Sequence, residues 1–203
     1  MTEAVAGATG YGSRNSADRT IVALANLTYF GIEFVVALRI GSASLFADSA
    51  DFFEDASVNL LIFVAMAWSA RDRARVGMAM SVILLFPAVA FLWTAWNKFE
   101  VPIPPEPFAL GLTGLGALVV NVSCAYLLAA YRNAGGSLTK AAFLSARNDA
   151  FANVAIIAAG AVTFYLWRSP WPDLIVGFGI AWMNLDAAKE VWVAAHEEHR
   201  AVA

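Results

Sequence analysis

Long apolar stretches alternate with short polar connections along most of the chain. A helix needs about 20 mostly apolar residues to cross the hydrocarbon core of a bilayer, and six stretches reach that length. These predicted spans are residues 20–40, 44–69, 76–96, 108–131, 138–167 and 174–191. The pattern therefore predicts an all-α polytopic membrane protein, whose six transmembrane helices fill residues 20–191.

The connections between the spans support this division. Residues 71–75 (RDRAR) are charged, and residues 101–107 (VPIPPEP) contain prolines that cannot continue a helix. With a cytoplasmic N-terminus, nine lysines and arginines fall on the cytoplasmic side and three (Arg39, Lys98 and Arg168) on the other. This imbalance predicts an inner-membrane protein with both termini in the cytoplasm. Residues 1–19 are then a disordered cytoplasmic tail, and residues 192–203 are a short second tail.

The composition agrees with a membrane protein and excludes other classes. Of the 203 residues, 60% are hydrophobic and 14% are charged, against roughly 25% charged in soluble domains. The net charge of −3 gives no indication of nucleic-acid binding. The single cysteine, Cys124, excludes an intrachain disulfide.

Several ionisable side chains nevertheless fall inside the predicted spans. Such a group costs about 2.5–3.5 kcal/mol at the bilayer centre, so it is a functional candidate by default. The first, second and fifth spans carry these groups, which are Glu33, Asp48, Asp51, Glu54, Asp55, Arg147 and Asp149.

The spacing of these acids predicts a cluster near the middle of the membrane. Asp51 and Asp55 are four residues apart and therefore share one helix face. At about 1.5 Å per residue, Asp55 and Asp149 each lie about 16 Å deep, counted from opposite sides. Carboxylates that meet in a low dielectric repel one another, and protons or a cation relieve that repulsion. Exchange of a divalent metal for protons is one physical basis for such a cluster.

The metal ligands predicted from this cluster are three carboxylates and one further group. Tetrahedral zinc takes four ligands, and three of them are Asp51, Asp55 and Asp149. The fourth is Ser145, which precedes Asp149 by one helical turn, or alternatively Asn148 or water. The competing interpretation is structural: buried acids held only by hydrogen bonds.

At these residues the chain resembles the cation diffusion facilitator family of metal-ion transporters. Asn26 and Glu33 in NLTYFGIE reproduce a family spacing in the first helix. The stretch GSASLFADSADFFED resembles the start of the second helix, where a His or Asp is followed four residues later by Asp. Those two transport-site positions correspond to Asp51 and Asp55.

The fifth helix extends the resemblance. SARNDAFANVAII is similar to a family stretch whose His-x-x-x-Asp falls on Ser145 and Asp149, with Asn153 at a common asparagine. The resemblance implies six helices, cytoplasmic termini, a homodimer and export of zinc or a related ion by proton antiport. The chain departs from the family in having Ser145 in place of histidine, no histidine-rich loop and no cytosolic C-terminal domain.

The remaining ionisable groups in the spans have two interpretations. Asp48 and Glu33 line an exit or proton pathway, or else they form ion pairs with Arg39. Arg147 points away from the predicted site, and we expect it to pair with Glu54 because a lone buried arginine is costly.

Polar residues elsewhere have weaker functional signals. His196 and His199 lie three apart in AAHEEHR and form either a peripheral cytoplasmic metal site or part of a solvated tail. Intramembrane asparagines are expected to form hydrogen bonds between helices. These asparagines are Asn26, Asn59, Asn121 and Asn153.

The function predicted from the sequence is secondary transport of a divalent cation, with Zn²⁺ and Cd²⁺ favoured. Its expected partners are the lipid bilayer, the metal ion, protons and a second copy of the chain, with no resident cofactor and no enzymatic activity. One alternative is a Mn²⁺ or Fe²⁺ exporter of the same family, because harder ions suit oxygen ligands. The others are a passive cation channel, a non-transporting scaffold and an intramembrane metal-dependent phosphotransferase.

Overall fold

The computed structural model describes the backbone of residues 2–65, 85–129 and 136–183, and the side chains of residues 18–60, 89–129 and 145–183. The described residues form six helices and no strand, which confirms the predicted all-α class. The helices are α1 (Thr2–Ile40), α2 (Ala43–Ala65), α3 (Leu85–Glu100), α4 (Pro107–Ala129), α5 (Gly136–Tyr165) and α6 (Trp171–Met183).

Two helices begin at least three residues earlier than the sequence predicts. α1 starts at Thr2, so the prediction of a disordered segment over residues 1–19 was wrong for residues 2–19. Extending a helix that has already formed costs far less than nucleating one, and this favours continuation of the first span towards the N-terminus. α6 starts at Trp171 instead of Leu174, because Pro172 is tolerated in a first turn, where its missing N–H group is not needed.

A two-residue turn reverses the chain between α1 and α2. Gly41 has a φ of 62°, and the backbone N–H of Ser42 donates to the carbonyl of Ala37 at 3.2 Å, which is the Schellman pattern of a helix C-terminus. The two helices then run antiparallel and pack together, and the rings of Tyr29 and Phe52 lie 5.0 Å apart.

Small residues bring α4 and α5 into close contact. A Cβ atom added to Gly160 would lie 3.1 Å from the backbone nitrogen of Gly111. A Cβ atom on Gly114 would lie 2.9 Å from the side chain of Ile156. Such close approach of backbones is typical of helix pairs in membranes.

The burial pattern suits a bilayer, because polar groups lie inside the bundle and large apolar groups lie outside. Glu33 and Asp48 are fully buried, whereas Trp93 and Phe108 are 68% and 70% exposed. By length and composition, Asp18–Ile40 and Pro107–Ala129 are apolar enough to cross a membrane, and Trp171–Met183 is a shorter apolar helix. The acids of α2 and the charged residues of α5 lower the hydropathy of those two helices.

Candidate metal transport site

Two hydrogen bonds connect the acidic face of α2 to α5. The hydroxyl of Ser145 donates to Oδ1 of Asp55 at 3.1 Å. Two turns away, the Nδ2 atom of Asn153 donates to Oδ2 of Asp48 at 2.6 Å. Residue numbers rise along one helix as they fall along the other, so α2 and α5 are antiparallel with these side chains between them.

Asp51 and Asp149 lie between those two hydrogen bonds. Each is about one turn from the bonded residues of its own helix, and the two carboxylates are close enough to repel each other. Asp149 is only 8% exposed, and its Oδ2 atom has no hydrogen-bond partner among the described residues. The structure thus places the predicted ligands as two facing pairs, Asp51 with Asp55 on α2 and Ser145 with Asp149 on α5.

Two asparagine side chains form a hydrogen-bonded chain that ends at Asp48. The Nδ2 atom of Asn121 on α4 donates to Oδ1 of Asn153 at 2.9 Å, and Asn153 in turn donates to Asp48. This chain fixes which end of the Asn153 amide faces the acid, because its oxygen is already occupied. The other oxygen of Asp48, Oδ1, has no partner among the described residues.

Glu33 on α1 is the least satisfied acid of the cluster. It is fully buried, and neither of its carboxylate oxygens has a hydrogen-bond donor in the described part of the chain. Its side chain lies against that of Asp48. Two ionised carboxylates cannot donate to each other, so this contact becomes favourable only when a proton or a cation lies between them.

Glu33, Asp48, Asp51, Asp55 and Asp149 together form what we call the central acidic cluster. Within the described residues, none of them forms an ion pair with lysine or arginine. Glu54 lies nearby and adds further negative charge. Repulsion of this kind inside a bundle is relieved by cations or by protons.

The cluster is not a preassembled metal cage. Among the residues that the structure describes, no three His, Cys, Asp or Glu side chains are arranged so that they could hold a metal ion. The four predicted ligands contribute two carboxylates from one helix, and one carboxylate and one hydroxyl from the other. Ligation of a metal by this set therefore stays a prediction.

A match to a protein-family profile identifies the family of this chain. Residues 20–195 match the profile of the cation efflux transmembrane domain. The chain belongs to the cation efflux family. No protein in a search of curated sequences matches the chain.

Membership in the cation efflux family confirms the resemblance drawn from Asn26, Glu33 and the acidic motifs of the second and fifth helices. It makes the chain a membrane protein that transports metal cations, in a family of transporters and not of enzymes. The acids that the family resemblance assigns to the transport site are the ones that α2 and α5 place face to face.

Two predicted ion pairs of this cation efflux protein are absent from the described structure. The guanidinium of Arg147 donates to Oδ1 of Asn148 at 3.2 Å and not to Glu54, because Arg147 is exposed on the outer side of α5. Arg39 is also exposed, whereas Glu33 is enclosed by the bundle. Periodicity gave the direction of these side chains around each helix but not the distance to a partner.

The alternative fourth ligand is also disfavoured. Asn148 is exposed and accepts its hydrogen bond from Arg147, whereas Ser145 already touches Asp55. Asn148 lies about 100° around the helix from Asp149, so it cannot share the inward face. Ser145 does share it, because it lies one turn away.

The four intramembrane asparagines were predicted to form hydrogen bonds between helices, and three of them do. Asn121 and Asn153 bond between helices as predicted, and Cys124 donates through Sγ to Oδ1 of Asn26 at 3.7 Å. The amide of Asn59 instead donates to the backbone carbonyl of Asp55 in its own helix at 2.8 Å.

His196 and His199 lie outside the described residues.

Asp173 was not identified from the sequence as functional, although it is fully buried and makes an ion pair with Lys98 at 3.4 Å.

Proposed function

We propose that the chain exports a divalent metal cation by exchanging it for protons at the central acidic cluster. The observation that carries this proposal is the pairing of two α2 acids with an acid and a hydroxyl of α5, with no described basic side chain to neutralise them. A cluster with this much uncompensated charge is a binding site for cations or protons in turn.

The proposed ligands are Asp51 and Asp55 from α2 and Ser145 and Asp149 from α5. Because the ligands come in pairs from two helices, a small relative movement of α2 and α5 would open or close the site. Such movement around a site near the midplane is the usual basis of alternating access. A hydroxyl has two lone pairs, so Ser145 can turn its proton away from Asp55 and offer oxygen to a metal.

Zn²⁺ and Cd²⁺ are the proposed substrates, because the family resemblance favours them. A second candidate, Mn²⁺ or Fe²⁺, is favoured by a specific observation: the four proposed ligands offer only oxygen atoms. Oxygen ligands suit these harder ions, whereas imidazole and thiolate suit zinc. Competition between the ions for transport distinguishes the two assignments.

Glu33 and Asp48 are proposed to carry protons beside the metal site. Both are buried, and each has at least one carboxylate oxygen with no partner in the described part of the chain. If Glu33 carries a transported proton, then Glu33→Gln should lower the number of protons exchanged per metal while metal transport continues. An unchanged proton count in an active Glu33→Gln variant would leave this role without support.

The test is transport by the purified full chain in lipid vesicles. Uptake of Zn²⁺, Cd²⁺, Mn²⁺, Fe²⁺ and Co²⁺ is measured with and without a pH gradient, together with the luminal pH. Antiport predicts that the gradient drives metal flux and that protons move in the opposite direction. Flux that follows the metal gradient alone and moves no protons would indicate a channel.

Site variants separate the site from the fold. Asp55→Ala and Asp149→Ala should abolish metal flux while circular dichroism and gel filtration remain those of the wild-type chain. Wild-type flux in either variant would overturn the site assignment. The homodimer and the cytoplasmic position of both termini stay predictions, which mass measurement in detergent and labelling of introduced cysteines would test.

A further inference from the structure

Asp173 on α6 is bonded to the first turn of α2, far from it in sequence. One carboxylate oxygen, Oδ1, accepts from the hydroxyls of Ser42 and Ser44, both at 2.7 Å, and from the backbone N–H of Ser44 at 3.1 Å. The other oxygen, Oδ2, accepts from the backbone N–H of Ala43 at 2.8 Å, across a separation of 130 residues.

These bonds complete the N-terminus of α2. The hydroxyl of Ser42 accepts from the N–H of Leu45 at 3.2 Å, so Ser42 is the ordinary local cap. Asp173 accepts the two N–H groups before Leu45, which a helix leaves without partners inside itself. The negative charge also lies at the positive end of the helix dipole.

A third helix joins the same carboxylate. The Nζ atom of Lys98 on α3 lies 3.4 Å from Oδ2 of Asp173, and both side chains are at least 94% buried. Lys98 also donates to the carbonyl of Ile103 at 3.2 Å, in the segment that follows α3. We call Ser42, Ala43, Ser44, Lys98 and Asp173 the Asp173 cluster, which connects α2, α3 and α6.

Close packing holds α6 against α2 beside this cluster. A Cβ atom added to Gly177, one turn after Asp173, would lie 3.0 Å from the backbone carbon of Ala43 and 2.9 Å from the ring of Phe91. The contact is between backbones, so α6 cannot slide along α2 without breaking both the contact and the hydrogen bonds of Asp173.

The Asp173 cluster is not a second metal site. A carboxylate offers about four lone-pair positions, and five donor groups already surround Asp173: two hydroxyls, two backbone N–H groups and one ammonium. No lone pair is left for a metal ion. The function of this acid must therefore lie in what it holds and not in a ligand that it binds.

We propose that Asp173 is a positioning residue for transport. It fixes the axial position and the rotation of α2, so that the acids of α2 face α5. Asp51 and Asp55 follow Ala43 by 8 and 12 residues, or about 12 and 18 Å along a helix. An error in the position of the first turn of α2 is carried along a rigid helix to both carboxylates. This inference rests on the proposed metal site, because it concerns the geometry of that site.

The test measures equilibrium binding of Zn²⁺ to the purified full chain in detergent, which needs no transport. Asp173→Ala should weaken Zn²⁺ binding by about 10- to 100-fold, the range for groups that support metal ligands, in protein whose circular dichroism is unchanged. The matched control is Ser169→Ala. The Ser169 hydroxyl, two residues before α6 begins, accepts from the N–H of Trp171 at 3.4 Å, and this substitution should leave binding unchanged.

Each outcome decides the matter. A folded Asp173→Ala variant that binds Zn²⁺ as tightly as the wild-type chain would overturn the inference. If that variant does not fold, a Ser42→Ala/Ser44→Ala double variant removes two hydroxyl donors and keeps the carboxylate with its other donors. Weaker binding in the folded double variant supports the inference, and unchanged binding overturns it. A wild-type chain that binds none of Zn²⁺, Cd²⁺, Mn²⁺ and Fe²⁺ would overturn the proposed function and, with it, the basis of the inference.

Discussion

Two buried carboxylates of this protein, Asp173 and Asp149, differ in what surrounds them. Asp173 is fully buried and has five donor groups, including an ammonium, against its two oxygens. Asp149 is nearly as buried, at 8% exposed, but one of its oxygens has no partner among the described residues, and the charged groups that act on it are the acids Asp48, Glu54 and Asp55.

The hydrogen bonds of Asp173 are all made within the protein, whereas Asp149 is the acid that we propose binds a metal ion or a proton. A buried polar atom without a partner costs about 1–3 kcal/mol, and groups of such atoms are expected at functional sites. At Asp173 the protein itself supplies all the donors. On the proposed function, a metal ion or protons supply the missing partners in the central acidic cluster.

The same substitution at both acids tests whether Asp173 and Asp149 contribute differently to stability. Asp173→Asn should lower stability by about 3–5 kcal/mol, the cost of removing one partner from a buried ion pair, because Lys98 is left buried and unpaired. Asp149→Asn should leave stability unchanged or raise it, because it removes a charge that only repels its neighbours, while metal transport is lost. Thermal unfolding in detergent and vesicle flux measure the two effects.

A second substitution serves as the control for that experiment. Adding Lys98→Met to Asp173→Asn removes the unpaired ammonium and should restore part of the lost stability. If Asp149→Asn lowered the unfolding temperature as much as Asp173→Asn does, both acids would stabilise the fold and the proposed difference between them would be wrong.

The two glycines of α6 test the positioning of α2 without changing any charge. Gly177→Ala should cost about 1–3 kcal/mol, as overpacking does, because its Cβ atom would meet the backbone at Ala43 and Ser44, which cannot yield as a side-chain end can. Gly179→Ala is the matched control on the same helix, since nothing lies within 4 Å of its added Cβ atom. We expect Gly179→Ala to be neutral or slightly stabilising, and unfolding temperatures of the two variants should separate accordingly.

If Gly177→Ala and Gly179→Ala proved equally stable, the tight contact between α6 and α2 would not constrain the bundle. Zn²⁺ binding should fall only in Gly177→Ala, because only that substitution displaces the start of α2.

The part of the fold that was predictable from sequence is the part fixed by local patterns. Apolar length located the helices, and the prolines of residues 101–107 separated α3 from α4. A four-residue spacing placed Asp51 with Asp55 and Ser145 with Asp149. The helices α2 and α5 then bring these two pairs together through the hydrogen bond between Ser145 and Asp55.

Contacts between distant segments were not predictable in the same way. Asp173 lies between the predicted fifth and sixth spans, so the apolar pattern places it in a connection. Its partners lie up to 131 residues away, and no spacing rule reaches that far. The same limit explains the wrong pairing of Glu54 with Arg147, because helical periodicity gives an angle around one axis but no distance to another helix.

Replacing Glu33 tests whether this acid of the central acidic cluster lacks a hydrogen-bond partner. Glu33→Gln supplies an amide donor beside Asp48, whose Oδ1 atom has no partner among the described residues. One new hydrogen bond should raise stability by about 1 kcal/mol, read as a higher unfolding temperature. Glu33→Ala is the control, because it supplies no donor and leaves a cavity, and it should not raise the unfolding temperature. A Gln variant that is no more stable than the Ala variant would show that Glu33 already has a partner.

Ser145 offers the smallest and most specific change, because it is the one neutral group among the four proposed ligands. Ser145→Ala removes a single weak ligand and should weaken Zn²⁺ binding by about 10-fold, the lower end of the 10- to 100-fold range for groups that support metal sites. Asn148→Ala should have no effect, because Asn148 faces outwards and bonds to Arg147.

Ser145→His then asks what the all-oxygen site selects. A nitrogen ligand favours zinc over manganese, so the ratio of Zn²⁺ to Mn²⁺ affinity, measured on the same purified variant, should rise above that of the wild-type chain. If the ratio stays the same although Ser145→Ala weakens binding, Ser145 supports the acids through its hydrogen bond to Asp55 and does not itself bind the metal.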